Sequence, residues 1–208
     1  MKTVITAVAL IAIANAQLYN ITSKPFRLHL TSKDGIINDT VTTCHAGALL
    51  EYFCLPNSEK ASKLDPTAND TFNFNTTTSP QRSANQSDLG TEGILTWTLP
   101  LTNRMGPVPL SVYLHYDSST DSATPILTAS SDNPQHFFFN EHDELLVQSY
   151  INWTALPPTL TVPHGIKRWF VCKTYFAGYE YENLVWGLGA GKPENPTCIA
   201  VNVKRVFV

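Results

Sequence analysis

The fold is indicated most directly by the stretch 167-KRWFVCKTYF-176, whose side chains suit the two faces of a β-strand. Successive side chains of a strand point to opposite faces, so residues two apart share a face. One face of this stretch carries Trp169, Val171, Lys173 and Tyr175, and the other carries Arg168, Phe170, Cys172, Thr174 and Phe176. The stretch is therefore predicted to be a strand.

The same period of two recurs along the chain, whereas sustained helical periodicity does not. Phe26, Leu28 and Leu30 alternate with polar residues, which is typical of a half-buried strand. The Phe72-Asn73-Phe74 run predicts one more strand, with Asn75 pointing outward. Further strands are predicted at residues 93–99, 110–116, 136–139, 145–151 and 198–208. Residues 46–53 are the one stretch that suggests a short helix.

Prolines separate these segments and favour turns between short strands, because proline cannot donate a ladder hydrogen bond. The pattern predicts an all-β fold, an antiparallel β-sandwich or jelly-roll-like single domain with long polar loops and at most one short helix. A parallel α/β fold is excluded because its crossover helices are missing.

Residues 1–16 have the pattern of a secretory signal peptide. Lys2 supplies a positive charge, residues 4–13 are apolar apart from Thr6, and residues 14–16 form a small-x-small cleavage site. The expected product is residues 17–208, a single secreted β domain that contains the polar, sequon-rich segment 56–92. No second apolar run approaches the ~20 residues that a membrane helix needs, so we expect no membrane insertion.

The cysteines and the glycosylation sequons agree with export. Four cysteines in an oxidising compartment predict two disulfides, and three connectivities are open. We favour Cys44–Cys54, which closes a short loop, with Cys172–Cys198, which joins two late strands. Zinc is disfavoured because no Cys-x-x-Cys pair is present.

Asn-x-Ser/Thr acceptors occur at Asn20, Asn38, Asn69, Asn75, Asn85 and Asn152. Of these, Asn69, Asn75 and Asn85 are expected to be the surest glycosylation sites, because they lie in the most polar part of the chain, and Asn152 the least sure.

Charge excludes one class of partner. The 208 residues include 15% charged residues, against roughly a quarter in an average globular protein, and the formal net charge is −3. Nucleic-acid binding needs clustered Lys and Arg, so no nucleic-acid partner is expected. Nothing in the sequence indicates a cofactor.

Two acidic groups are candidates for chemistry. Strand alternation places Glu180 and Glu182 on one face, and glycoside hydrolysis needs two carboxylates roughly 5–5.5 Å apart in retaining enzymes. Four nearby aromatic residues offer faces on which a sugar ring could stack, namely Trp169, Tyr175, Tyr179 and Trp186. The alternative is a solvated strand edge with the tyrosines packed inward.

The second acidic group lies in residues 140–144. Glu141, Asp143 and Glu144 are candidate calcium ligands, because Ca²⁺ takes six to eight oxygen ligands. The segment lacks the spacing and the glycine of an EF-hand loop. The alternative is a charged hairpin turn that keeps a sheet edge from pairing with other chains.

Four short segments carry a family resemblance. They are His45-Ala46-Gly47-Ala48, Gly93-Ile94-Leu95-Thr96-Trp97, Trp169-Phe170-Val171-Cys172 and Asn195-Pro196-Thr197-Cys198. From about Lys24 to the C-terminus the chain resembles a family of small secreted proteins of filamentous fungi, known only as a domain of unknown function. The resemblance implies an extracellular, β-rich protein of fungal source and assigns no catalytic residues.

Two functions are open at this stage. The first is a secreted, N-glycosylated β-sandwich without catalytic activity, which binds a polysaccharide or a host or cell-surface protein. The second is a carbohydrate-active hydrolase or lyase on a jelly-roll scaffold, with Glu180 and Glu182 as its acid and nucleophile. A concave groove in which two carboxylates converge would favour the enzyme. The sequence predicts no oligomeric state.

Overall fold

The computed structural model describes residues 19–56, 70–77, 89–101, 106–129, 133–176 and 178–208. Within these ranges every regular element is a β-strand, so the chain is all-β as predicted. The strands are β1 (Ile21–Thr22), β2 (Phe26–Ser32), β3 (Asn38–Thr40), β4 (Thr42–Gly47), β5 (Leu50–Cys54), β6 (Asn73–Thr76), β7 (Thr91–Leu99), β8 (Val108–Asp117), β9 (Ser122–Thr128), β10 (His136–Phe139), β11 (Leu145–Asn152), β12 (Thr159–Ile166), β13 (Trp169–Phe176), β14 (Tyr179–Gly187) and β15 (Ile199–Phe207).

The strands form one large antiparallel sheet that does not close. Its order is β12-β11-β10-β7-β8-β9-β5-β14-β13-β15-β2-β3, with β1, β4 and β6 paired off this path. The sheet is curled: β15, near the β3 end of the strand order, contacts the β10–β11 turn, near the β12 end. There the Arg205 N–H donates to the Asp143 carbonyl, and Glu144 and Lys204 form an isolated antiparallel bridge.

The main core lies inside this curl. Residues two apart on almost every long strand point into it, as shown by Phe26, Leu28 and Leu30 of β2, which are fully buried. Trp169 of β13 and Trp186 of β14 are cross-strand partners in the same core. We call the face that lines this core the inner face and the opposite one the outer face. Burial of one apolar row from each strand is what the alternating sequence predicts.

Smaller apolar clusters cover part of the outer face. One contains Tyr52, Ile126 and Tyr181 around the Cys44–Cys54 disulfide, and another contains Phe170 and Val185 around Cys172–Cys198. These pairings are the ones favoured from the sequence. Burial raises the pKa of Tyr52, so its hydroxyl stays protonated. Cys44–Cys54 joins β4 to β5, and Cys172–Cys198 joins β13 to the residue that precedes β15.

The expected strands at residues 26–30, 93–99, 110–116, 136–139, 145–151, 167–176 and 198–208 are all present, with small shifts of their ends. The short helix at residues 46–53 is wrong, because these residues form the β4–β5 hairpin, with Leu49 at positive φ in the turn. Tyr52 and Phe53 are both buried on opposite faces, so the apolar run hides the period of two.

Other expectations meet the structure only in part. The Phe72–Phe74 run lies partly in β6, as predicted, but the Asn75 side chain does not point freely outward. Its Oδ1 atom is buried, with no hydrogen-bond partner within the described ranges. The signal peptide, residues 1–16, and much of the segment 56–92 lie outside the described residues. No helix long and apolar enough to cross a membrane occurs among the residues described.

Candidate functional site

A cleft of about 490 Å³ opens where the β8–β9 and β13–β14 hairpins end, and residues from both faces of these strands border it. The β8–β9 hairpin lines one side of it, and β13 with the start of β14 lines the other. A third side is formed by the loop of residues 188–198, which we call the 188–198 loop. The fold thus brings together three segments that are far apart in sequence.

Hydroxyl groups of the β8–β9 hairpin line the first side of the cleft. Thr120, Ser122 and Thr124 all border it, and the hydroxyls of Thr120 and Ser122 lie 2.8 Å apart in a hydrogen bond. Ser122 and Thr124 stand opposite Asp117 and His115 in the β8–β9 register. Alternation therefore gives this part of the outer face a polar row.

Asp117 holds the turn between β8 and β9. Its Oδ1 atom accepts hydrogen bonds from the Ser119 amide at 2.9 Å and the Ser119 hydroxyl at 2.6 Å. Its Oδ2 atom accepts from the Thr120 hydroxyl at 3.0 Å. These bonds, led by the one from the Ser119 hydroxyl, and the nearby His115 hold the pKa of Asp117 below its usual value. Asp117 is therefore an ionised acceptor and a poor general acid.

The 188–198 loop is held against the cleft at both of its ends. At the β13 side, the Asn195 amide donates to the Lys173 carbonyl at 2.8 Å, and the Thr197 hydroxyl accepts from the Lys173 amide at 2.9 Å. The Cys172–Cys198 disulfide joins the same strand to the end of the loop. These contacts fix the loop as a wall of the cleft.

The other end of the loop is anchored on the β8–β9 turn. The Leu188 amide donates to the Asp121 carbonyl, and the Glu194 amide donates to the Thr120 carbonyl. A Cβ atom on Gly189 would lie 2.5 Å from an Asp121 carboxylate oxygen, so a side chain at this position would require the exposed Asp121 side chain to turn away. The loop therefore bridges the two sides of the cleft.

Exposed tyrosines also border the cleft, on the faces of β8 and β13 opposite its hydroxyl row. Tyr116 is 64% exposed and Tyr175 is 74% exposed. The His115 ring packs edge-on against Phe176, with ring centroids 6.2 Å apart. Two tyrosines that remain largely open to solvent beside a polar concave surface are suited to stacking on a ligand.

The charges of the cleft are nearly balanced. Lys173 supplies a positive charge, and Asp117 and Glu180 supply negative ones. In the β13–β14 register Lys173 stands opposite Glu182, and Tyr175 stands opposite Glu180. No large field of one sign is present among these residues, so the cleft offers hydrogen-bonding groups without strong selection for a charged ligand.

The two glutamates predicted as catalytic share a face, as alternation requires, but only Glu180 lines the cleft. The other carboxylate in the lining is Asp117, whose oxygens already accept three hydrogen bonds within its own turn. The acid and nucleophile pair expected from the sequence is therefore not assembled by Glu180 and Glu182 within this cleft.

The four aromatic candidates have different positions. Trp169 and Trp186 are buried in the main core, with ring centroids 4.8 Å apart, and present no face to a ligand. This corrects their assignment as sugar platforms. Tyr175 lines the cleft, whereas Tyr179 is exposed at the start of β14 and is not part of the lining. Alternation cannot tell a covered face from an open one, so it does not separate the buried tryptophans from the exposed tyrosines.

The calcium candidates are occupied by side chains of this protein. Asp143 accepts from the Arg205 Nε–H at 2.7 Å, and Glu144 accepts from the Lys167 ammonium at 2.9 Å. Glu141 lies next to His142, with 3.6 Å between the nearest oxygen and nitrogen. The described residues contain no group of three or more potential metal ligands. The geometry is that of a charged hairpin turn between β10 and β11.

The described sequons differ in exposure. Asn20, Asn38 and Asn152 are exposed, whereas Asn75 is half-buried in β6. Asn69 and Asn85 lie outside the described residues. Asn152 stands at the end of β11, where its Oδ1 accepts hydrogen bonds from the amide and hydroxyl of Thr154.

Sequence reasoning missed most of the cleft. His115 and Tyr116 end a predicted strand, and Asn195 belongs to a segment noted only for its resemblance to a family. The one local signal was the change from apolar to polar residues along residues 110–117, which indicates where β8 leaves the core. Their meeting with Lys173 depends on strand order and could not be read from spacing.

Comparison with known families gives one match. The model of a family described as "Domain of unknown function (DUF7907)" matches residues 23–207. No curated protein and no solved structure matches the chain. The matched range covers β2 to β15, and it includes the cleft and its wall.

Proposed function

The chain belongs to this family of unknown function, and from that premise we propose that it is a secreted glycoprotein that binds a glycan in the cleft. The carrying observation is that the largely exposed Tyr116 and Tyr175 stand at the rim of a cleft lined by a row of hydroxyl groups. A sugar ring has apolar faces and a polar edge. Aromatic rings and hydrogen-bonding side chains in one cleft complement both parts.

Secretion is supported by the cysteines. All four are paired, and no free cysteine occurs in the chain. Disulfides are typical of extracellular proteins because cytosolic thiols are kept reduced. The N-terminal pattern of residues 1–16 and the exposed sequons at Asn20, Asn38 and Asn152 point in the same direction.

The glycan is a neutral one, such as a wall polysaccharide. Lys173 is offset by Asp117 and Glu180, so the lining has no cationic field that would favour uronate or sulfate groups. Lys173 and the carboxylates supply charged hydrogen-bond partners for sugar hydroxyls, and the hydroxyls of Thr120, Ser122 and Thr124 add neutral ones.

Binding without hydrolysis fits this cleft better than catalysis. Hydrolysis needs a protonated acid beside the bond to be cleaved, together with a second carboxylate. Asp117 is held ionised by its turn, which leaves Glu180 as a single carboxylate of the lining able to take part. The hydrolase reading would regain support if the protein released reducing sugar and Glu180→Gln abolished that release.

Tyr175→Ala should weaken binding of the recognised neutral polysaccharide by about tenfold or more. Loss of an aromatic side chain that contacts the ligand commonly lowers affinity by this factor. An exposed tyrosine contributes little to folding, so the variant should remain folded. Tyr116→Ala should act in the same direction. Retardation in native gels that contain each of a panel of neutral polysaccharides measures the affinity.

Tyr150→Ala provides the matched control, because Tyr150 is an exposed tyrosine of β11 outside the cleft lining. Its affinity should equal that of the unaltered protein. Equal affinities for Tyr175→Ala and Tyr150→Ala, or no retention on any polysaccharide of a broad panel, would refute a glycan site in this cleft.

A further inference from the structure

The β11–β12 hairpin, residues 145–166, forms one end of the sheet and exposes several apolar side chains. β12 is the last strand of the order and pairs with β11 alone within the described part of the chain. Leu156 is 99% exposed, Leu160 80% and Trp153 68%, and Val162 is also largely open. A concentrated apolar surface on a folded domain marks an interaction site.

The exposed row continues the inner face of the sheet beyond the core. Residues paired directly across two strands share a face, and the register pairs Val147 with Ile166 and Ile151 with Leu160. Val147 and Ile166 pack against the main core. Between these two pairs the register shifts, because β12 places three residues opposite Tyr150, and β11 itself runs on from Val147 to Ile151 with the same parity. Leu160, opposite Ile151, therefore lies on this face, where the described chain leaves it uncovered. The hairpin therefore extends an apolar sheet face past the body of the protein.

The hairpin has no charge of its own. Residues 145–166 contain no Asp, Glu, Lys or Arg, although the whole chain has a formal net charge of −3. A symmetric contact places the same surface on both partners, so charged patches would repel and an uncharged apolar row is complementary to itself. The absence of lysine and arginine gives the hairpin no electrostatic attraction for anionic lipid.

We propose that two copies of this chain form a dimer through the apolar face of the β11–β12 hairpin. The exposed parts of Ile151, Trp153, Leu156, Leu160 and Val162 amount to roughly 500–600 Å² per chain, given the surface of such side chains. Two such faces bury roughly 1,000–1,200 Å², which reaches the lower limit for a specific interface. The dimer is therefore concentration-dependent.

The contact is made by the face of the hairpin and not by its edge. Pro163 lies within β12 and has no N–H to donate, and Pro157 and Pro158 precede the strand. Proline on an edge strand opposes pairing with another chain. Asn152 pairs with Thr159 one step from the Ile151–Leu160 pair, so a glycan on Asn152 would project from the opposite face and leave the contact free.

Leu160→Asp should convert the dimer to a monomer. Sedimentation velocity of the full secreted chain over a concentration series should show a dimer that dissociates on dilution. The variant should dissociate at least about 30-fold more readily, because a charge replaces a central apolar contact. Thr159→Asp provides the control, since it adds the same charge to the same strand on the opposite face, and it should dimerise as the unaltered chain does.

Three results would overturn the proposal. The unaltered chain could stay monomeric throughout the series, Leu160→Asp could dimerise unchanged, or Thr159→Asp could be as monomeric as Leu160→Asp. Flotation with neutral phosphatidylcholine vesicles tests whether the apolar face binds a lipid surface instead of a second copy of the chain. A monomer that binds these vesicles in a Leu160-dependent manner would assign the apolar face to a lipid surface instead. Circular dichroism of each variant checks that it is folded.

Discussion

Trp169→Ala is expected to lower the free energy of unfolding by about 3–5 kcal/mol, which is the usual cost of truncating a buried tryptophan. Trp169 is 2% exposed and contacts Trp186 and Phe137 in the main core. Its indole N–H also donates to the Leu145 carbonyl at 2.8 Å, so the ring fixes β13 to the start of β11. Thermal unfolding should show a midpoint lower by about 10 °C.

Trp153→Ala is the matched control for this prediction. It removes the same side chain from the exposed end of the β11–β12 hairpin, where the cost to folding of the monomer should be within about 0.5 kcal/mol. If both variants unfolded at the same temperature, Trp169 would not be the packing residue described, and its interpretation as a ligand platform would return.

Removing the Cys172–Cys198 disulfide is expected to have the second large effect. The cysteines are 26 residues apart, and the chain-entropy model gives about 3.5 kcal/mol for a loop of this size. Alanine at both positions avoids burying new hydroxyl groups where both cysteines are now buried. The free energy of unfolding in denaturant measures the loss.

The same variant should also loosen the wall of the cleft. The 188–198 loop would keep its hydrogen bonds to Lys173 and to the β8–β9 turn but lose its covalent anchor on β13. Amide exchange at Leu188 and Glu194 should therefore become faster, and glycan affinity should fall.

Replacing Cys44 and Cys54 by alanine distinguishes the general loss of stability from the specific loosening of the 188–198 loop. This pair is 10 residues apart and borders a different apolar cluster, so its removal should cost about 2.7 kcal/mol and leave exchange at Leu188 unchanged. Equal exchange at Leu188 in both double variants would show that the hydrogen bonds alone hold the loop, and the disulfide would then have no part in shaping the cleft.

The strands were predictable because their alternation is local. Phe26, Leu28 and Leu30 place one apolar side chain every two residues, and only a strand brings these to one face. Elements with proline inside them were not predictable. β9 and β12 contain Pro125 and Pro163, and both tolerate it through their position in the sheet rather than through local preference.

The cleft, unlike the strands, could not be predicted from local patterns. Tyr175 could be proposed from its strand, but Tyr116 is 59 positions away in the chain and Asn195 is 20 positions away in the other direction. They meet because β14 pairs with both β13 and β9, and because the 188–198 loop crosses from one hairpin to the other. No pattern of spacing along the chain contains this information.

By itself the sequence determined the strand content and the paired state of the cysteines, since period-two alternation and cysteine count are properties of neighbouring residues or of the whole chain. Only the tertiary structure decided which face of each strand is covered. Trp169 and Tyr175 stand on one strand with the same parity, yet the first is buried and the second is open. The physical reason is that the curled sheet covers β13 at its beginning and leaves its end at the cleft.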